Sequence, residues 1–68
     1  MNGGHVTADV SREAIGALEA QRVVEGLQRD ELTAEHAWLA FVGLAACNGW
    51  KSAACMGFVR ELAKRATA

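Results

Sequence analysis

The stretch AWLAFVGLAAC, residues 37–47, carries no polar side chain and decides the fold predicted for this chain. A helix that is apolar all round must be covered on every side. A chain of 68 residues has few other elements with which to cover it. We therefore expect a second copy of the chain, or another protein, to complete the cover.

The composition is that of one small globular domain, with 51% hydrophobic and 22% charged residues. So short a chain is only marginally stable unless disulfides, a metal or oligomerisation support it. Two cysteines are too few for a disulfide framework, and Cys47 and Cys55 lack the spacing of a zinc site. We read both as small hydrophobic residues, predict no metal or cofactor, and expect a homodimer.

The net charge of −1 gives no overall attraction to nucleic acid or to anionic lipid. Residues 37–47 are also much shorter than the ~20 residues that span a bilayer. The first residues have neither the positive flank nor the apolar run of a signal peptide. These features predict a cytoplasmic protein that does not enter the membrane.

Apolar residues at helical spacing predict an all-α fold, a helical hairpin followed by a third, C-terminal helix, in one domain over residues 11–68. Residues 1–10 form a flexible lead-in in this prediction, although the alternation over residues 5–10 leaves a short strand, as in ribbon-helix-helix proteins, as an alternative. The first helix runs from Arg12 to Gln28. The residues expected to face the core are Val10, Ala14, Ala17, Val24 and Leu27.

The second helix is predicted from Ala34 to Cys47, with Thr33 capping its start and Gly49 ending it. The third begins near Ser52 and continues to Ala66. Its predicted buried side consists of Cys55, Phe58, Val59, Leu62 and Ala66.

The middle helix has a bulky half and a stripe of small residues. The bulky residues are predicted to pack on the other two helices, and they are Trp38, Phe41, Val42, Leu44 and Ala45. Small residues let helices approach closely, so the stripe is the predicted dimer interface, formed by His36, Ala40, Gly43 and Cys47. The alternative is that the small residues of the first helix, Gly16, Ala17 and Ala20, fill this groove within one chain.

The sequence shows no phosphate-binding loop, paired-carboxylate site or nucleophile with its base, so we predict no catalytic residue and no enzyme activity. Apolar, aromatic and arginine residues at positions that the helix patterns leave open are the candidates for binding another protein. These are Ile15, Arg22, Trp50, Met56 and Arg60. Trp50 has a competing role, since it also follows the helix-ending glycine and can pack back on Leu44 or Ala45.

Residues 44–59 partly match a helix-turn-helix, with Ala45, Gly49 and Trp50 at suitable relative positions. Few groups on the corresponding reading face can bond base edges. That face is Lys51, Ser52, Ala53, Met56, Gly57 and Arg60, and a small basic patch of Lys51, Arg60, Lys64 and Arg65 would supply the phosphate contacts. A DNA-binding regulator is therefore the alternative to a protein-binding module.

The chain resembles small phage-encoded inhibitors of host proteins in its size, in its helical layout over residues 11–66 and in having no recognisable catalytic motif. These include helical anti-activators of quorum-sensing receptors and anti-CRISPR proteins. The resemblance implies a dimer that binds and blocks a host protein, such as a transcriptional regulator or an enzyme. It assigns no role to any single residue.

Overall fold

The computed structural model describes the backbone of residues 3–67 and the side chains of residues 10–67. Over this part of the chain it contains three α-helices and no strand. They are α1 (Gly3–Gln28), α2 (Ala34–Asn48) and α3 (Ala53–Ala66). The predicted all-α fold with three helices is confirmed.

The first helix starts earlier than the sequence predicted. It begins at Gly3 rather than at Arg12, so residues 3–10 are helical and form neither a strand nor an irregular lead-in. The chain has no proline to stop the helix, and each residue added to an existing helix gains a backbone hydrogen bond. Residues 1 and 2 lie outside the described part of the chain, and the flexibility predicted for residues 1–10 stays a prediction.

Glycines mark the place where α1 and α3 cross. A Cβ atom at Gly16 would overlap the carbonyl oxygen of Ala54, and one at Gly57 would overlap the carbonyl oxygen of Glu13. At these two positions the helices meet backbone to backbone. This close approach makes α3, rather than α2, the main packing partner of α1.

The buried face of α1 differs from the one predicted. Ala20 and Val23 form the centre of the core with Phe58 of α3, and the half-buried residues Ala37, Ala40, Phe41, Leu44 and Leu62 pack around them. Val10 is 62% exposed, Ala14 is exposed, and Leu27 is only partly covered. On α3, Cys55 and Phe58 are buried as predicted, whereas Val59 and Ala66 are exposed. Ala17 and Val24 of α1, also predicted to face the core, are half-buried. The buried side of α1 is centred instead on Gly16, Ala20 and Val23, because the close crossing requires small residues.

The two caps of α2, Thr33 and Gly49, are local features that the sequence predicted correctly, and Ser52, near which α3 was expected to begin, is the N-cap of α3. Thr33 and His36 form a capping box, in which the Thr33 N–H donates to His36 Nδ1 at 3.0 Å and the Thr33 hydroxyl accepts from the His36 N–H. Gly49 ends α2 with a positive φ of 99° and donates its N–H to the Ala45 carbonyl at 2.7 Å. The Ser52 hydroxyl accepts from the Cys55 N–H at the start of α3.

Candidate functional site

Four aromatic side chains meet around Phe41, at the junction of α2, the following turn and α3. The ring centroid of Phe41 lies 6.1 Å from that of Trp38, 5.6 Å from that of Trp50 and 5.7 Å from that of Phe58. Tilted pairs at these distances are favourable. Phe58 is buried, but Trp38 is 58% and Trp50 60% exposed. We call the outward part of this cluster, Trp38, Phe41 and Trp50, the aromatic surface.

Local structure explains how this surface forms. Trp38 and Phe41 are three residues apart on α2 and so lie on neighbouring turns of one side of the helix. The positive φ of Gly49 then reverses the chain and brings Trp50 back against Phe41. Trp50 thus makes a ring contact with Phe41, and its predicted contact with Leu44 or Ala45 stays a prediction.

The prediction that Trp38 belongs to the core is wrong. The residues of α2 that pack on the core are Ala37, Ala40, Phe41, Leu44 and the buried Ala45. Trp38 follows Ala37 and is turned about 100° further round the helix, where its side chain stays 58% exposed. Two features of the sequence could have predicted the aromatic surface. Trp38 and Phe41 are three residues apart, and the turn glycine Gly49 stands just before Trp50.

The structure distributes the five candidate partner-binding residues over three places. Ile15 and Arg22 lie on α1, Met56 and Arg60 lie on α3, and Trp50 lies in the turn between α2 and α3. Among the described side chains, no hydrogen bond or ring contact joins one of these places to another. All five are exposed, and their role in binding a partner stays a prediction.

The two candidate arginines, Arg22 and Arg60, both form ion pairs within the chain. Arg22 Nη2 donates to Glu19 Oε2 at 2.6 Å, and this hydrogen bond lowers the pKa of Glu19 and raises the pKa of Arg22. Arg60 Nη1 donates to Glu13 Oε1 at 2.7 Å and so links α3 to α1 beside the glycine crossing. Arg60 therefore has a structural role in addition to any contact with a partner.

Three of the four residues in the predicted dimer stripe on α2 are exposed to solvent. His36, Gly43 and Cys47 are exposed, while Ala40 is half-buried against the core. Leu39 is 56% exposed and Ala46 is exposed on the same side. We call Leu39, Gly43 and Ala46, with His36 and Cys47 at their flank, the outer strip of α2.

At Gly43 the groove is open, so α1 does not fill it there. A Cβ at Gly16 would meet Ala54 and Phe58, both on α3, whereas Ala40 of the predicted stripe packs against the core cluster that contains Ala20 of α1. A Cβ at Gly43 would meet no atom within 4 Å. The expectation that one chain leaves its central helix partly uncovered therefore agrees with the structure.

The two cysteines have different surroundings. Cys55 is buried and its thiol donates to the Gly49 carbonyl at 3.4 Å, which fits the predicted packing role. Cys47 is exposed in the single chain, so its predicted packing role depends on the proposed dimer interface. Within the described side chains no three His, Cys, Asp or Glu residues lie close enough to hold a metal ion, and the side chain of His5 lies outside that range.

None of the helices in the described residues has the length and apolar character needed to cross a membrane. No protein-family model, curated protein or solved structure matches this chain. The aromatic surface and the outer strip of α2 are therefore the features of the chain that bear on its function.

Proposed function

We propose that this chain is a small non-catalytic protein-binding module. It acts as a homodimer in the bacterial cytoplasm, as an inhibitor or anti-activator that blocks a bacterial regulator or enzyme. The observation that carries the proposal is the aromatic surface, where Trp38 and Trp50 each expose more than half of their area. Tryptophan is enriched among the residues that dominate binding energy in protein interfaces.

The aromatic surface is also ordered before any partner arrives. Each indole packs against Phe41, and Phe41 in turn packs against the buried ring of Phe58. Side chains that are already fixed lose less conformational entropy on binding than mobile ones. A pair of fixed, half-covered indoles supports a role as the anchor of a protein interface.

The packing of α3 disfavours the alternative of a helix-turn-helix regulator. In that motif the second helix enters the major groove with its outward face. Gly57, at the middle of the candidate reading face, is buried against the backbone of Glu13. Two of the four residues of the basic patch, Arg60 and Arg65, form ion pairs with Glu13 and Glu61.

Affinity capture tests the proposal. The tagged chain is incubated with a nuclease-treated bacterial lysate, beside the variants Trp38→Ala and Trp50→Ala. The matched control is Leu18→Ala, since Leu18 is 64% exposed on α1 and lies outside both surfaces. We expect each tryptophan variant to weaken capture of a specific protein by more than about tenfold. The control should capture as the wild type does.

Circular dichroism establishes that the variants keep their helices, so that lost capture reports on the surface. Equal capture by wild type and both tryptophan variants would contradict the role of the aromatic surface. Recovery of DNA alone, from a lysate without nuclease treatment, would favour the regulator instead.

A further inference from the structure

We infer that the capping box at the start of α2 is a pH-sensitive switch. It closes the first helical turn while His36 is neutral and opens that turn when His36 takes up a proton. The inference goes beyond the proposed function, because it concerns how the chain itself responds to pH. It bears on the aromatic surface through Trp38, which follows two residues after His36.

The capping box depends on a lone pair of the imidazole ring. The Thr33 N–H donates to His36 Nδ1 at 3.0 Å, and this nitrogen can accept only while it carries no proton. A capping box ordinarily has glutamine, which does not titrate, or glutamate, which titrates near about pH 4, at this position. Here the position holds histidine, whose charge ordinarily changes between pH 5 and 8.

Protonation of His36 opposes the closed turn in two ways. The Thr33 hydroxyl lies 3.1 Å from Nδ1 and can accept from the charged ring, but the Thr33 N–H then faces another N–H across 3.0 Å. The charged ring also lies in the first turn of α2, where the helix carries positive partial charge. The stabilisation by the box is therefore present above the pH at which histidine titrates and is lost as the pH falls through it.

No carboxylate offsets a positive charge on this ring by direct contact. Among the described side chains, the imidazole hydrogen-bonds to Thr33 alone and forms no ion pair. The carboxylates nearest to it along the chain are exposed, and they are Asp30 and Glu31 in the connection from α1 and Glu35 on α2. The ion pairs of α1 and α3 join charges of those two helices to one another: Glu19 with Arg22, Glu13 with Arg60 and Glu61 with Arg65.

The first turn of α2 holds the backbone that positions Trp38. The Ala37 N–H donates to the Thr33 carbonyl at 3.1 Å, and in an α-helix the Trp38 N–H donates to the carbonyl four residues earlier, that of Ala34. Opening of the turn removes both acceptors. The ring of Trp38, whose centroid lies 6.1 Å from that of Phe41, is then less firmly held. Trp50 is reached from the other end of α2 and does not depend on this turn.

Thermal unfolding at pH 8 and at pH 5.5, followed by circular dichroism, tests the switch. The variant is His36→Gln, because glutamine completes a capping box without titrating. We expect it to unfold at the same Tm as the wild type at pH 8. At pH 5.5 its Tm should be roughly 4–8 °C higher than that of the wild type, the shift that one hydrogen bond of ordinary strength produces in so short a chain.

The matched control is His5→Gln, which removes the other histidine of the chain. It should follow the wild type at both pH values. Equal Tm values for His36→Gln and the wild type at pH 5.5, or an equal gain from His5→Gln, would overturn the inference.

NMR spectroscopy shows whether the response is located in the first turn. In the wild type, the Cα chemical shifts of residues 34–37 should move toward coil values between pH 8 and pH 5.5. Those of Ala45 and Ala46, near the other end of α2, should stay constant. In His36→Gln neither group should move. Constant shifts at residues 34–37 of the wild type would overturn the inference whatever the Tm values are.

The link to the aromatic surface rests on the proposed function, and capture from the lysate at both pH values tests it. Relative to His36→Gln, capture by the wild type should fall about twofold or more at pH 5.5, because affinity falls with the fraction of molecules that hold the surface formed. Equal capture by the two proteins at pH 5.5 overturns the link to Trp38. Absence of capture by both proteins at pH 8 contradicts the proposed function, while the NMR and Tm measurements still decide the switch.

Discussion

Replacing Gly16 by alanine should destabilise this protein, although alanine is the better helix former. At an ordinary helix position the change from glycine to alanine stabilises by about 1 kcal/mol. At Gly16 the new Cβ would overlap the Ala54 carbonyl oxygen and lie 2.7 Å from its carbonyl carbon and 2.9 Å from the Phe58 nitrogen. These are backbone atoms, which cannot rotate away as a side chain can.

The magnitude follows from how far the helices must separate. Ordinary carbon contacts begin at 3.4 Å, so the 2.7 Å contact alone requires a shift of about 0.7 Å, and the closer overlap with the Ala54 oxygen requires more. A gap of that size removes a quarter to a half of the dispersion energy of each contact it opens. Overpacking of this kind costs about 1–3 kcal/mol or more. Since α1 packs mainly on α3, we expect a net loss of about 2 kcal/mol, even after the gain in helix propensity.

Thermal unfolding at one protein concentration measures the effect. A loss of about 2 kcal/mol in a chain of this length lowers Tm by roughly 8–16 °C. Gly57→Ala should behave alike, because its Cβ would lie 2.8 Å from the Glu13 carbonyl carbon. The control is Ala14→Gly, at an exposed position two residues away on α1, which should lose about 1 kcal/mol through propensity alone. A Gly16→Ala protein with an unchanged or higher Tm would refute the backbone-to-backbone crossing.

Two further predictions concern local interactions. Thr33→Ala should lower the stability by about 1 kcal/mol in thermal unfolding, whereas His36→Gln should change it little, because glutamine also completes a capping box. Arg22 lowers the pKa of Glu19, so the stability from this pair is present above the unfolded-state pKa of Glu19 and is lost as the pH falls through its lowered folded-state pKa. In urea unfolding, Arg22→Ala should therefore be less stable than the wild type at neutral pH and equally stable in strong acid. A difference that persists in acid would contradict the ion-pair explanation.

The helices and their caps could be predicted from the sequence because they depend on neighbouring residues. Thr33 accepts from a backbone group three residues away, and Gly49 takes the positive φ that other residues avoid. The incomplete cover of α2 could also be predicted, since it follows from the absence of polar residues over 37–47 and from the length of the chain. None of these features requires knowledge of how the helices pack.

The orientation of α1 could not be predicted in the same way. Its contact face is built around Gly16 and Ala20, which bury little side-chain area and give a weak hydrophobic pattern. Larger apolar residues of α1, such as Val10 and Leu18, contribute more to a hydrophobic pattern but remain exposed. Hydrophobic periodicity finds large buried side chains, whereas a close crossing depends on the absence of side chains.

The same glycines explain why the central helix is left open. Because α1 and α3 meet backbone to backbone, they pack mainly on each other, and α2 packs less extensively on either of them. One side of α2 reaches the core, through Ala37, Ala40, Phe41, Leu44 and Ala45. The exposed side of α2 keeps Trp38 and Leu39, each more than half exposed. The tight packing of α1 and α3 thus leaves apolar side chains of α2 exposed, and the proposed association with another protein removes them from water.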